Sequence, residues 1–234
     1  MEFLTDRNYS FVSKALDADT FAVVDIKGEE GLGRCYRFEI QLVTDNAEID
    51  MDGVLRDRAT FTIHRKDGQD VDFNGILAGF EQQQSYGSSV FYRAILVPRL
   101  WRLSLSRHNQ VFLDQSVKEI AEAVLKDGGL TSRDFEFKLR GEYPKLAYVC
   151  QYAESHLDFF SRRLEREGIY YYFEQTDNGE KIVITDTAIA HQERPHGGDL
   201  VFSPPSGLID AQHNEIVLGL VCRHKPLPRT ISLC

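Results

Sequence analysis

The sequence predicts an α+β fold that is mainly β, with antiparallel strands arranged as a barrel or a sandwich. Three observations support this fold class. Apolar and polar residues alternate over most of the first hundred positions, two capped amphipathic helices follow, and a new strand pattern begins at Ile169. A period of two is typical of a strand with one face in a core, whereas spacings of three and four are typical of a helix.

The first hundred residues carry the strand signals. In YRFEIQLV, Tyr36, Phe38, Ile40 and Leu42 share one face, and ATFTIHR and VDFNGILAGF alternate similarly. A longer strand pattern, SVFYRAILVPRLWRLSLS, contains Pro98, which marks an edge or a bend because proline has no N–H group to donate. Repeated strands at short spacing predict an antiparallel barrel or sandwich.

The stretch SVKEIAEAVLKDGGL predicts the first of the two helices. Ser116 and Glu119 have the spacing of a capping box, in which each side chain binds the other residue's backbone N–H group. Apolar residues recur at helical spacing between them and Gly128, which stands where a left-handed C-cap is expected.

The second helix begins after Ser155 and ends at Gly168. Asp158 stands at the third helical position, where a carboxylate favours the positive end of the helix dipole. The charged run RRLERE, which includes Arg162 and Arg163, could be a docking face for a partner, but a solvated helix face with internal ion pairs is favoured. A hairpin is predicted next, in which IYYYFE pairs with KIVITD across an Asn-Gly turn.

The row Tyr170, Tyr171 and Tyr172 allows three interpretations. The rings could stack on sugars or nucleobases, fill a two-sided core, or form an interface between subunits. Stacking sites usually need neighbouring Arg, Asn or Gln side chains to fix a ligand, and this strand carries few of them. Core and interface together are therefore favoured.

Composition argues against several classes of protein. The chain of 234 residues has a formal net charge of −9, so it lacks the positive field that nucleic-acid binding requires. Its first residues are too polar for a signal peptide, and its apolar runs are too short to span a membrane. The protein is expected to be made in the cytoplasm and to use no cleaved leader.

Four scattered cysteines predict no disulfide scaffold, and most are expected to be buried.

The motifs of common enzymes do not occur. The chain contains no G-x-S-x-G, no phosphate-binding G-x-x-x-x-G-K-[ST] and no H-E-x-x-H. Cys222 and His224 have a spacing that could bind a metal, but no partner pair accompanies them. His156 is expected to be neutral and near the surface, because a positive ring would oppose the helix dipole. No catalytic, cofactor or metal residue is therefore predicted.

The segment CQYAESHLDFFSRRLEREGIYYYF, residues 150–173, closely resembles the signature of VgrG proteins, the spikes of type VI secretion systems. His156 departs from the acidic residue that is more usual there. The positions taken as the signature, with a structural or interface role, are Gln151, Tyr152, Glu154, Ser155, Asp158, Phe159, Arg162, Gly168, Tyr170 and Tyr171. YRFEIQLVTDNAEID and SVKEIAEAVL also resemble the amino-terminal region of the family, so the likeness covers nearly the whole chain.

The resemblance implies a phage tail hub-like fold of two antiparallel β-barrel-like modules with an α/β insertion. It divides the chain into a first module at 1–105, an insertion with two capped helices at 106–167, and a second, truncated β module at 168–234. Such hubs are trimers whose six modules form a pseudo-sixfold ring. The oligonucleotide/oligosaccharide-binding-type domain and the β-helix needle of full-length relatives are not among these residues.

The function implied is that of a structural hub, which links the hexameric Hcp tube to the membrane-piercing needle during contractile delivery of effectors. The implied partners are two further copies of the chain, Hcp, baseplate components and effectors, with no nucleic acid and no stable membrane insertion. Delivery into a target cell follows firing from the bacterial cytoplasm. A contractile phage or prophage tail hub is the alternative, and a cell-wall hydrolase or a sugar-binding module is less favoured.

Overall fold

The computed structural model describes residues 8–65, 70–191, 201–202, 216–224 and 226. The chain divides into two compact units, Met1–His191 and Gln192–Cys234. Among the described residues, no helix combines the length and the apolar character that crossing a membrane would take.

A six-stranded antiparallel sheet forms the first part of the larger unit. Its spatial order is β1-β4-β5-β6-β3-β2, and the sheet curls into a half-barrel in which the edge strands β1 and β2 approach each other. The strands are β1 (Tyr9–Ser13), β2 (Ala22–Glu29), β3 (Arg37–Thr44), β4 (Arg58–Ile63), β5 (Val71–Tyr86) and β6 (Ser89–Val97). A mainly β fold with helices is therefore confirmed.

The predicted alternation places the core of this sheet correctly. Tyr36, Phe38, Ile40 and Leu42 are all buried, together with Phe61 of β4. Their rings pack closely, for example Phe38 against Phe61 with centroids 5.5 Å apart. Burial of such side chains contributes about 1.5–3 kcal/mol each, which makes this cluster a main source of stability.

Two local features differ from the predicted strands. The long strand expected around Pro98 ends at Val97, and a 3₁₀-helix, Arg99–Ser104, follows it. Proline cannot continue the ladder because it lacks an N–H group, so the apolar residues after it pack as a short helix instead. A helix that the alternation did not predict, α1 (Met51–Arg56), is capped by Asp50, whose side chain accepts from the N–H group of Gly53.

The α/β insertion comes next. Its strands β7 and β9 form an antiparallel two-stranded ribbon, and the two helices pack against each other. The elements are β7 (Arg107–Gln115), α2 (Val117–Asp127), β8 (Phe135–Lys138), β9 (Leu146–Ser155) and α3 (His156–Arg166). Both predicted helices are thus confirmed with their N-terminal caps, including the capping box of Ser116 and Glu119.

The end of α2 differs from its prediction by one residue. Gly128 has φ −73° and is not left-handed, whereas Gly129 has φ +83°. The N–H group of Gly128 still bonds to the carbonyl of Val124, so the helix continues for one more residue before the turn. The left-handed position then falls on the second glycine of the pair.

The predicted hairpin forms from β10 (Tyr170–Thr176) and β11 (Gly179–Thr185). β11 also pairs with β8 in parallel, so hairpin and insertion share one three-stranded sheet. Phe173 of β10 packs against both hydrophobic clusters of the unit, that of the half-barrel and that of the insertion. The division of the chain at residues 105 and 167 stays a prediction.

In the second unit, the described residues contain two short strands. β12 (Val201–Phe202) and β13 (Ile216–Val217) pair in parallel. NEIVLGLVCRH was expected to be one strand, but residues 218–224 form no regular element. The other predicted strand, RTISLC, lies outside the described residues.

Candidate assembly interface

The signature segment forms the junction between β9 and α3. Gln151 is completely buried, and its Nε2 donates to the carbonyl of Glu154 at 3.1 Å. Between them β9 carries one extra residue relative to β7, and Ala153 adopts φ +51°. A bulge of this kind bends the strand and redirects its side chains. The buried amide of Gln151 therefore holds the turn through which the strand enters the helix.

Charged signature residues tie α3 to this turn. The Ser155 hydroxyl accepts from the N–H group of Asp158 at 3.0 Å and donates to its carboxylate at 2.7 Å. Arg162 reaches back from the second turn of the helix to bind Glu154 through two hydrogen bonds, of 2.6 and 3.2 Å. Its guanidinium also lies 5.5 Å from the ring centroid of Phe159. These contacts orient the start of the helix on the ribbon.

The aromatic signature residues lie mostly in the core. Phe159 is fully buried and stacks on Phe112 of β7, with centroids 5.5 Å apart. Tyr171 is also buried, and its hydroxyl lies 3.2 Å from that of Ser161. The core interpretation is thus confirmed for Tyr171, the middle residue of the tyrosine row.

The outer tyrosines face a histidine. The Tyr170 hydroxyl lies 2.9 Å from Nε2 of His191, and the ring of Tyr172 lies 4.7 Å from that of His191. Burial and the nearby Glu174 carboxylate raise the pKa of Tyr172 to about 12. Both rings are half-buried by their own chain.

Gly168 ends α3 in a left-handed conformation, with φ +72°. A side chain there would clash with its own backbone rather than with a neighbour, because nothing lies within 4 Å of the added Cβ atom. Replacing Gly168 with alanine is expected to lower the free energy of unfolding by about 1–2 kcal/mol. Urea denaturation would measure this loss. A Gly33→Ala variant, at φ +70° in a turn, should lose a similar amount, and no loss in either would contradict the backbone argument.

Three predictions about the burial of side chains are wrong. His156 is 2% exposed rather than near the surface. Arg163 is 4% exposed rather than solvated, and within the described residues its Nε and Nη2 atoms find no hydrogen-bond partner. Helix α3 buries a wider face than its apolar residues indicate, because it packs on both the ribbon and the 3₁₀-helix. The described cysteines are less buried than expected: Cys35 and Cys150 are intermediate and Cys222 is exposed, while Cys234 lies outside the described residues.

The burial of His156 brings a polar cluster together. His108, Asp127 and His156 each place one possible metal-ligand atom within 4.8 Å of the others. Their spacing in sequence follows no metal motif, which is why sequence reasoning missed them. Cys222 and His224 lie 3.5 Å apart and are exposed, and no third ligand joins them among the residues described.

The outer face of the ribbon is apolar and uncovered among the described residues. Val111 and Leu113 of β7 are 53% and 59% exposed, and Tyr148 and Tyr152 of β9 are 63% and 78% exposed. Leu113 lies directly opposite Tyr148. We call these four residues the ribbon face. On the other side of the same strands, Phe112 and Val149 are buried against the helices. Strands that are apolar on both faces usually pack on both, so the ribbon face suits a protein contact.

A cavity of about 290 Å³ lies beside the hairpin. Its lining includes Glu30, Arg34, Tyr36, Tyr172 and Phe173. Burial raises the pKa of Glu30. Glycoside hydrolysis usually needs two carboxylates on opposite sides of the bond, and this cavity has one. This lining therefore gives no support to the hydrolase alternative.

Comparison with known proteins assigns the chain to a family. The profile of the phage tail baseplate hub (GPD) matches residues 29–233. The spike protein VgrG1b of Pseudomonas aeruginosa is 33% identical over 195 residues, which are 83% of this chain and 26% of that protein. VgrG5 of the same organism is 35% identical over 178 residues, 75% of this chain and 22% of that protein. The chain therefore spans about a quarter of the length of these curated relatives.

Solved structures agree with this assignment. The E. coli c3393 protein, a component of the type VI secretion system with structural similarity to the T4 tail proteins gp27 and gp5, superposes with a TM-score of 0.72 at 27% identity. That match covers 78% of this chain and 50% of the other. The 43 kDa tail protein of prophage MuSo2 from Shewanella oneidensis shares the fold, with a TM-score of 0.53 at 12% identity. The chain belongs to the phage tail baseplate hub (GPD) family, and its resemblance to VgrG spike proteins is confirmed.

Proposed function

We propose that this chain is the hub region of a type VI secretion spike, which assembles as a homotrimer and links an Hcp tube to a membrane-piercing needle. Identity of 33–35% to VgrG spike proteins over three quarters or more of the chain supports this proposal. The role is mechanical and needs no bond chemistry, in keeping with a family of structural hubs. Before firing the protein would reside in the bacterial cytoplasm, and firing would deliver it to a target cell.

The ribbon face is the observation that supports self-assembly. Four large apolar side chains, more than half exposed, lie together on two paired strands. Such patches on a soluble protein usually mark a contact with another protein. In a trimer with closed rotational symmetry, each copy would cover the ribbon face of its neighbour. Such closed symmetry is the usual state of homo-oligomers.

Light scattering tests this assembly directly. The mass of the chain is expected to rise from 26.8 kDa toward about 80 kDa, the mass of three copies, as concentration increases. A double variant, Val111→Lys with Leu113→Lys, is expected to remain monomeric because assembly would bury two unpaired charges in an apolar contact.

A matched control tests whether the effect is specific to the ribbon face. Tyr86 and Ile189 are 70% and 69% exposed but lie outside the ribbon face, so Tyr86→Lys with Ile189→Lys should assemble as the original chain does. A monomer at every concentration, or a lysine variant of the ribbon face that still trimerises, would contradict assembly through this face. Circular dichroism spectra of all variants would establish that they fold.

The contractile phage tail hub remains the second candidate, since a prophage tail protein shares the fold. The two candidates differ in the tube that the hub caps. Cosedimentation of the assembled chain with purified Hcp rings is expected to show a stable complex. Binding to a phage tail-tube protein but not to Hcp would favour the phage candidate instead.

A further inference from the structure

Three elements of the insertion bring a pair of imidazoles and a carboxylate together. His108 lies on β7, Asp127 is the last residue of α2, and His156 is the first residue of α3. The two histidine rings are nearly parallel, with centroids 3.7 Å apart. Nε2 of His156 lies 2.8 Å from Oδ2 of Asp127. One ligand atom from each of the three residues falls within 4.8 Å of the others.

Neighbouring polar groups orient each of these side chains. Oε1 of the buried Gln151 lies 3.2 Å from Nδ1 of His156, so Nδ1 can donate while Nε2 faces Asp127. The Ser106 hydroxyl lies 2.8 Å from Nε2 of His108, and among the described residues Nδ1 of that ring has no hydrogen-bond partner. For His156, the contact with Gln151 is the kind of partner that metal-binding histidines usually have on the second ring nitrogen, because it fixes the tautomer and the ring orientation.

A neighbouring side chain also orients the carboxylate of Asp127. Nε2 of Gln110 donates to Oδ2 of Asp127 at 2.9 Å. Asp127 also lies at the C-terminal end of α2, where a negative charge is unfavourable unless a cation accompanies it.

The three proposed ligands differ in their exposure to solvent. His156 is 2% exposed, His108 is half-buried, and the Asp127 side chain is 51% exposed. An ion could therefore enter from the Asp127 side and meet a fixed imidazole at the base. Because the two histidine rings are nearly parallel, their in-plane lone pairs do not point at a common position. Binding one ion therefore requires His108, the less buried ring, to turn.

We propose that His108, Asp127 and His156 bind one divalent transition-metal ion of the Zn²⁺ class, with water completing the coordination. Two imidazoles and a carboxylate suit Zn²⁺, Co²⁺ or Ni²⁺, whereas Ca²⁺ and Mg²⁺ prefer oxygen ligands alone. The ion would join β7 to the facing ends of α2 and α3. It would act as a structural clamp in the insertion, independent of the hub role and of trimer assembly.

Zn²⁺ titration of the untagged chain by calorimetry tests this site. The exposed Cys222–His224 pair is a competing ligand pair, so all proteins should carry Cys222→Ser. We expect one Zn²⁺ per chain. His108→Ala and Asp127→Asn are each expected to weaken binding at least tenfold. Both side chains are half-buried or exposed, so these variants are expected to fold, as circular dichroism would verify.

His64 provides a matched control. Its Nδ1 lies 2.8 Å from Oδ2 of Asp70, which reproduces a histidine–carboxylate pair without the second imidazole. His64→Ala should leave the zinc affinity unchanged. As a second readout, saturating Zn²⁺ should raise the Tm of the original chain and not that of His108→Ala, because a ligand that binds only the folded state stabilises it.

Two results would overturn the proposal. If the folded chain binds no Zn²⁺, the cluster is only a hydrogen-bonded histidine–aspartate pair. If zinc binds with an affinity that His108→Ala and Asp127→Asn do not change, the ion lies elsewhere. Neither result would bear on trimer assembly, which is measured separately through the ribbon face.

Discussion

Replacing Arg99 with alanine is expected to lower the free energy of unfolding by about 3–5 kcal/mol, because it leaves a buried carboxylate without its cation. The backbone N–H group and Nε of Arg99 both donate to Oε1 of Glu180, at 2.7 and 2.9 Å, and its Nη1 lies 2.8 Å from Asp134. The Glu180 side chain is only 3% exposed. Without the guanidinium, the buried carboxylate of Glu180 would have neither a cation nor bulk water to stabilise its charge.

Urea denaturation of Arg99→Ala and of an exposed counterpart would measure this effect. Arg93 and Glu81 form an ion pair of similar length, 2.8 Å, with side chains that are 34% and 50% exposed. Arg93→Ala should therefore cost less than about 1 kcal/mol. Adding Glu180→Leu to Arg99→Ala is expected to recover part of the loss, since the unpaired carboxylate is removed. Equal losses for Arg99→Ala and Arg93→Ala would contradict the argument from burial.

Replacing Phe159 with alanine is expected to cost about 3–5 kcal/mol of stability, through the lost burial and the cavity that the ring leaves. Phe159 is fully buried between α3 and β7, where it stacks on Phe112. The same substitution at Tyr152, another signature residue, should change stability by less than about 0.5 kcal/mol, because that side chain is 78% exposed.

Thermal or urea denaturation of the two variants would distinguish these roles. If Tyr152→Ala also weakens trimer formation while Phe159→Ala mainly lowers stability, the signature serves both the fold and the interface. A Phe159→Ala variant as stable as the original chain would show that α3 can settle onto β7 and fill the cavity. Comparable losses in both variants would mean that Tyr152 is buried by its own chain.

Local patterns predicted much of the fold because their causes are local. Alternation in YRFEIQLV identified the buried face of β3, and the capping box at Ser116 identified the first residue of α2. The pairing of β7 with β9 depends on contacts between residues about forty positions apart. The periodicity of a segment does not indicate which distant segment it pairs with. The ribbon and its apolar outer face could therefore not be predicted from the sequence.

The polar residues of the candidate site show the same limit. His156 follows a helix-capping serine, a position that normally faces solvent, and its burial arises from β7 and α2 folding over it. The metal cluster joins three elements that are distant in sequence. Resemblance to the VgrG signature identified the segment that joins β9 to α3, but only the structure separates its core residues from Tyr152.

Phe173 has a consequence for how the larger unit would transmit force if it acts as proposed. Because this one side chain packs against the half-barrel and the insertion alike, the two hydrophobic clusters are continuous. The loop before β3 is bonded to the same hairpin, through the N–H group of Gly33 and the carbonyl of Tyr171. The part of the Met1–His191 unit that the structure describes should therefore unfold in a single cooperative step. Under the proposed function, it would pass an axial thrust onward with little of it absorbed by bending.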